Sequence, residues 1–402
     1  MTGRSRRLLA AAGTALVTTA AAAGVAVGVA PPSDAAAGSL VQVTSFGSNP
    51  GALAMFAYTP AALPPQAPLV VALHGCTQTA NDYFTHSGWA ELADTYRFAV
   101  VFPQQSSANN SLQCFTWFDP AKDRRGAGEA ASVKSMVDYE KAHLSIDPAR
   151  VFVTGLSAGG GMAADLLADY PDVFAGGGID SGLPAQCATT QAQATSCQQN
   201  DQGLTPAQWA AKVTGSFPGW TGPWPRVAIW QGTSDFVVFP VNATELRDQW
   251  TAVHGLGQTP TTTVTLPGGT TETTYGSAVA LFSVAGMGHG TAVHPGAGVD
   301  SCGSAGAFFL DFICSSYYTA QFWGLTGSAP TPTPSPTATP PAGGTCVTAN
   351  NFAHVSAGRA HQSGGHAFAN GSNQDMGLWN TFVVHTLRQT GPNFWVIADG
   401  QC

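Results

Sequence analysis

Charge is scarce in this chain: Asp, Glu, Lys and Arg together make up 9% of its 402 residues. The 15 basic residues face 23 acidic ones, a net charge of −8. Binding to nucleic acid needs clustered positive charge along a phosphate backbone, so that class of partner is excluded. No Cys-x-x-Cys pair occurs among the eight cysteines, which removes the usual signature of a zinc site. No second apolar run of membrane-spanning length follows the one at the N-terminus, so the expectation is a chain with no membrane association once that segment is removed.

What is present begins with Arg4, Arg6 and Arg7 ahead of an Ala/Val/Gly-rich stretch that ends in small residues. This pattern predicts a signal peptide over 1–37, cleaved after Ala37, and hence a secreted, extracellular protein. A permanent anchor is the alternative, but Ala and Gly are only weakly apolar. The Arg6, Arg7 pair leaves Sec and twin-arginine export equally open. An even cysteine count in an exported chain reads as a set of disulfides. Between residues 326 and 344 the core TPTPSPTATPP alternates Pro with Thr or Ser and cannot pack, so it reads as a semi-rigid linker. It separates a large domain, 38–325, from a small C-terminal module, 345–402.

Inside the large domain, short apolar runs at Leu69–Leu73, Phe98–Phe102, Val151–Thr154, Phe174–Ile179, Val227–Trp230 and Ala280–Val284 read as strands. Helical spacing marks Glu129–Leu144 and Ala158–Tyr170 between them. The alternation predicts an α/β class with a mostly parallel sheet covered by helices on both faces. Arg150 to Thr154 then runs into Gly155, Leu156, Ser157, Ala158, Gly159, with a helix following at once. Strand, tight turn, helix with serine at the apex is the nucleophile elbow of the α/β-hydrolase fold. A Gly-x-Ser-x-Gly match alone is weak in a chain with 47 glycines; its strand-to-helix setting makes Ser157 the candidate nucleophile over a bland turn serine.

A serine hydroxyl needs a base, and the base needs an orienting acid, in the chain order Ser, acid, His. Asp235 stands just beyond the strand Val227–Trp230 and is the expected acid; Asp180 is its rival, and Asp300 comes too late. His289 sits in the glycine-rich loop Gly286–Gly290 after the last strand and is the expected base, with His294 as rival. Negative charge developing on the carbonyl oxygen needs two preorganised amides. Ala158 supplies one, and Cys76, in the turn after Leu69–Leu73, the other. His74 reads as a structural histidine in preference to a second base.

These residues together resemble the secreted poly(3-hydroxybutyrate) depolymerases and the related polyester, feruloyl and acetylxylan esterases. LHGCTQ (73–78), CFTWFDP (114–120), GLSAGG (155–160), QGTSDFVV (231–238) and GMGHGTAVHPG (286–296) carry the likeness, in the family's order. Some members are permuted, with the nucleophile first; here the oxyanion loop comes first. The resemblance implies the triad Ser157, Asp235, His289, oxyanion donors Cys76 and Ala158, a Cys76–Cys114 disulfide, and Trp117 near the mouth of the site as a substrate-binding residue. Cys187 with Cys197 and Cys302 with Cys314 are close enough to pair locally, though other pairings stay open.

The segment 353–383 resembles a tail module of several depolymerases, which implies polymer binding. A bond from Cys346 to Cys402 would close nearly the whole module and contribute about 4 kcal/mol through loop entropy. Of Phe352, Phe368, Trp379, Phe382, Phe394 and Trp395, most are expected in its core. His354, His361, His366 and His385 have no metal spacing. The reading is thus a monomeric extracellular serine esterase without cofactor or metal, acting on an insoluble polyester, poly(3-hydroxybutyrate) or a similar short-chain polyhydroxyalkanoate. The alternative is a feruloyl or acetylxylan esterase of plant cell wall, and the remote one a noncatalytic surface-binding protein.

Overall fold

The computed structural model describes residues 38–327, 346–391 and 393–400. The expected signal peptide, the linker from 328 onward and Cys402, with the bond expected to it, lie outside the described residues. The described residues 38–327 belong to one compact unit, and 346–400 to a second.

Ten strands form the sheet of the first unit: β1 (Val41–Val43), β2 (Ala54–Tyr58), β3 (Ala67–Leu73), β4 (Ala99–Gln104), β5 (Ile146–Leu156), β6 (Gly176–Asp180), β7 (Arg226–Gly232), β8 (Thr262–Leu266), β9 (Thr270–Tyr275) and β10 (Val279–Val284). Their spatial order is β1-β2-β4-β3-β5-β6-β7-β10-β9-β8. The six central strands, β4 to β10 in that order, are mutually parallel, and two antiparallel strands extend each edge. All six apolar runs read as strands lie in this parallel core. The edge strands carry a different pattern: β8 and β9, TTVTL and TTETTY, are rich in threonine and partly solvent-facing.

Helices α1 (Ala80–His86), α2 (Trp89–Tyr96), α3 (Gly128–His143), α4 (Ala158–Asp169), α5 (Gln191–Gln199), α6 (Pro206–Ser216), α7 (Val241–Val253) and α8 (Ser315–Phe322) complete the unit. The predicted helices at 129–144 and 158–170 are α3 and α4. Alternation along β3 explains the layers, because successive side chains leave a strand on opposite faces. Leu69, Val71 and Leu73 join Val133 and Met136 of α3 and Met162 and Leu166 of α4 in one core. Val70 and Ala72 face the other way, toward Trp89 and Leu92 of α2 and Tyr317 and Ala320 of α8. Each such fully buried aliphatic side chain contributes roughly 1.5–3 kcal/mol, so the sheet is a rigid platform for its C-terminal loops. A short parallel pair, β11 (Thr291–Val293) and β12 (Phe309–Asp311), lies beyond β10 in the chain.

The second unit contains two three-stranded antiparallel sheets. Its core is small: Ala360, Ala367, Ala369, Met376, Leu387 and Trp395. The aromatics correct the expectation. Of the six, only Trp395 is buried; Phe352, Trp379, Phe382 and Phe394 are exposed, Phe382 at 89%. Three of the six core residues are alanines, and Trp395 is the one large ring among them. Among the described residues no helix is long and apolar enough to cross a membrane.

Candidate active site

The loops that follow β3, β5, β7 and β10 all open at the C-terminal edge of the parallel core, where α/β folds place their sites. Ser157 is the hinge between β5 and α4, with φ 57° and ψ −118°. A side chain rarely takes this left-handed φ, and the strain projects the hydroxyl above the sheet. The turn is possible only because its neighbours lack a side chain. A Cβ on Gly159 would stand 2.5 Å from the His74 carbonyl oxygen, and one on Gly155 would stand 2.4 Å from that of Gly159. The Ser157 amide donates to the Asp180 carbonyl at 2.9 Å, which ties the hinge to β6.

Asp235 is 1% exposed, and its carboxylate is fully engaged. Oδ1 accepts from the Val237 and Val238 amides, both at 2.9 Å, while Oδ2 accepts from Gln231 Nε2 at 3.2 Å and lies 2.8 Å from His289 Nδ1. That contact leaves His289 Nε2 as the nitrogen facing outward. The two loops are stitched together, since Ser234 N donates to the Met287 carbonyl and Gly286 N to Thr233 Oγ1. Ser157 and His289 line one cavity of about 210 Å³ without a direct hydrogen bond between them. Such bonds are commonly long in a free enzyme and tighten around substrate.

Cys76 lines the same space, and Ala158 follows the lining residue Ser157 directly in the chain. Ala158 is the first residue of α4, where the amide has no intrahelical acceptor. Around Cys76 the neighbouring amides are occupied: Gly75 N by Gln78 Oε1 at 2.7 Å, Thr77 N by the Leu112 carbonyl at 2.6 Å, and Gln78 N by the Gly75 carbonyl at 3.3 Å. The Cys76–Cys114 disulfide fixes the turn from the side. The segment that carries Cys114 is held in turn by Glu129, which accepts from the amide of Thr116 at 2.8 Å and from its hydroxyl. Cys187–Cys197 and Cys302–Cys314 also form.

The rivals are placed elsewhere. Asp180 is buried, with its carboxyl pushed up to about 7 by desolvation and its Oδ2 facing Ser315. Exposed His294 pairs with Asp311. His74 is buried with Nδ1 2.7 Å from the Gly75 carbonyl and Nε2 accepting from Gln105 N, and burial lowers its pKa to about 4. It is a neutral structural group, as expected. Trp117 does not stand at the mouth: it is 3% exposed and packs in the core against Gly161 of α4, where the ring stands in for the missing side chain.

Sequence reasoning missed Gln231, which holds Asp235, and the apolar rim. Phe308 and Val237 line the cavity, and Phe236 beside them is 80% exposed. The rim residues sit in irregular loops without periodicity, so only the tertiary structure reveals them.

Residues 51–273 match the family described as Esterase PHB depolymerase. Over 294 residues, 72% of this chain and 70% of the relative, the sequence is 50% identical to poly(3-hydroxyalkanoate) depolymerase C of Paucimonas lemoignei. It is 38% identical over 262 residues to an acetylxylan esterase of Coprinopsis cinerea, covering 63% of this chain and 70% of that one. A feruloyl esterase B of Talaromyces stipitatus is 36% identical, covering 63% of this chain and 72% of that one. Among solved structures, acetyl xylan esterase from Aspergillus awamori superposes with a TM-score of 0.61 at 27% identity, over 71% of this chain and 99% of that one. With a sheet of this order and a sequence this near to those enzymes, the chain belongs to the esterase PHB depolymerase family and is a carboxylic ester hydrolase with the α/β-hydrolase fold.

Proposed function

We propose that this chain is an extracellular serine esterase that cleaves a polyester of short hydroxyacids, poly(3-hydroxybutyrate) or a similar short-chain polyhydroxyalkanoate, with Ser157, His289 and Asp235 as its triad. The observation that carries the reading is one apolar cavity bordered by the strained serine, by a histidine bonded to a buried carboxylate, and by the Cys76 turn. In this mechanism His289 Nε2 takes the Ser157 proton as Oγ attacks the ester carbonyl. The Cys76 and Ala158 amides receive the negative charge on the carbonyl oxygen. Collapse of the tetrahedral species passes the proton to the leaving alkoxide, and water then repeats the sequence on the acyl-enzyme. Asp235 keeps the proton on Nδ1 and stabilises the imidazolium.

The 50% identity to a polyhydroxyalkanoate depolymerase supports the polyester over the xylan esters of the more distant relatives. The exposed aromatics of the second unit support a polymer-binding role, with the linker raising local concentration at a solid surface. The test offers the purified protein a polyhydroxybutyrate film, feruloylated xylan and acetylated xylan side by side. Faster release of hydroxyacid from the film is expected; preference for either xylan ester would replace this reading with the cell-wall one.

A further inference from the structure

We infer that Phe308 sets the specificity for the leaving alcohol, the part of the substrate bonded to the ester oxygen that departs. The inference rests on the triad reading above. Phe308 is a wall of the cavity, 40% exposed, and its ring stands edge-on to the His289 imidazole at 6.1 Å between centroids. His289 must deliver its proton to the departing oxygen, so a side chain packed beside that imidazole meets whatever is attached to the oxygen. Of the other apolar walls, Leu156 is buried at the end of β5, and Val237, itself exposed, belongs to the loop that holds Asp235 through its amide and shows no ring contact with the imidazole.

The backbone says that the ring is held there at a cost. Phe308 has φ 65°, a conformation that a bulky residue rarely adopts. Several contacts impose it. The Phe308 carbonyl accepts from Thr291 N at 2.9 Å, and it approaches Gly290 so closely that a Cβ there would stand 2.6 Å away. Pairing of β11 with β12 sets Thr291 beside Phe309, and so sets the two preceding loops, with His289 and Phe308, side by side. Phe309 is buried against Tyr83 and His86, and the Cys302–Cys314 bond closes the loop. An exposed ring in a strained backbone gains little for folding; its yield is a fixed apolar surface next to the base. In a polyester of 3-hydroxyacids the departing oxygen sits on a branched carbon, and the ring would accept a small branch there and exclude a long one.

The test uses Phe308→Gly, which removes the wall and relieves the φ, and Phe308→Ala, which removes the wall alone. Rates are measured on ethyl, 2-butyl and 2-octyl butyrate, and on p-nitrophenyl acetate, butyrate and octanoate. In both variants the kcat/KM ratio of 2-octyl to ethyl butyrate should rise about tenfold or more, while the ratios along the p-nitrophenyl series stay as in the wild type. A shift along the p-nitrophenyl series instead, no change in either series, or an equal fall on all six esters would overturn the assignment. Because every probe is a simple monoester, failure here is distinct from failure of the polyester reading, which would appear as wild-type inactivity on the film.

Discussion

Asp235 Oδ2 and His289 Nδ1 lie 2.8 Å apart although 54 residues separate them in the chain. Parallel pairing of β7 with β10, in register from Val227–Val279 to Gly232–Val284, brings their loops out side by side. The sheet thereby fixes Asp235, and Asp235 in turn fixes His289.

That arrangement makes the carboxylate an orienting group. Asp235→Asn should lower kcat by about 10⁴, because an amide can present its own N–H to His289 and leave the proton on the wrong nitrogen. Steady-state kinetics on p-nitrophenyl butyrate will measure this. A loss of less than tenfold would show that some other group orients the histidine.

Ser157→Ala should remove at least three orders of magnitude from kcat/KM on the same ester. The fold should be unaffected, since the strained φ and the Ser157 amide bond to Asp180 are backbone features that alanine keeps. Circular dichroism and a melting curve check the second half.

Gly159→Ala tests the elbow through stability. The new methyl would lie 2.5 Å from the His74 carbonyl oxygen and 2.6 Å from that of Leu73, both backbone atoms that cannot step aside. Overpacking of this kind costs on the order of 1–3 kcal/mol, so urea titration should register a lower midpoint along with lost activity. Wild-type stability in the variant would mean that β3 and α4 are less tightly apposed than described.

Asp123, Asp165 and Asp169 are buried together, and burial raises each carboxyl: Asp123 to about 7, Asp169 to about 8, and Asp165 well above its usual value. The Asp123 and Asp169 carboxylate oxygens have no hydrogen-bond partner among the described residues, and Arg124 Nε, 3.5 Å from Asp123 Oδ1, offsets their burial only in part. The native state therefore holds protons that the unfolded chain releases near pH 3.8. Their stabilising effect is complete below that pH and is lost as pH rises through 7 to 8. Unfolding free energy should accordingly decline between about pH 4 and 8, and Asp169→Asn should flatten the decline. An unchanged slope in that variant would assign the pH response to other groups.

Removing everything after Thr326 should spare hydrolysis of a small soluble ester and weaken action on a polymer film. The first unit carries its own sheet and core, and the site lies wholly within it. Equal loss on both substrates would make the second unit part of the catalytic fold.

Much of this was legible in the chain because it is written locally. Short apolar runs such as 69–73, bounded by turn residues, read as strands covered on both faces, and the serine turn names itself through glycines whose replacement would clash with backbone. The Cys76–Cys114 disulfide was implied by the resemblance, whereas Cys187–Cys197 and Cys302–Cys314 were among pairings that proximity favoured but left open. The polar edge strands were not legible, since TTVTL and TTETTY carry no apolar run and depend on β10 for their pairing. Trp117 was misjudged for a related reason: whether a ring next to the motif lines a cavity or fills a gap depends on Gly161 across from it.

The sequence by itself determined the six central strands, the two helices that flank the serine turn, the family and the candidates for the reacting groups, because these rest on short-range patterns and on chemistry that only certain side chains perform. Only the tertiary structure decided which rings line the cavity and which carboxyls are buried. Burial and adjacency are set by residues hundreds of positions apart, as when Phe309 packs on Tyr83 and so holds Phe308 beside His289.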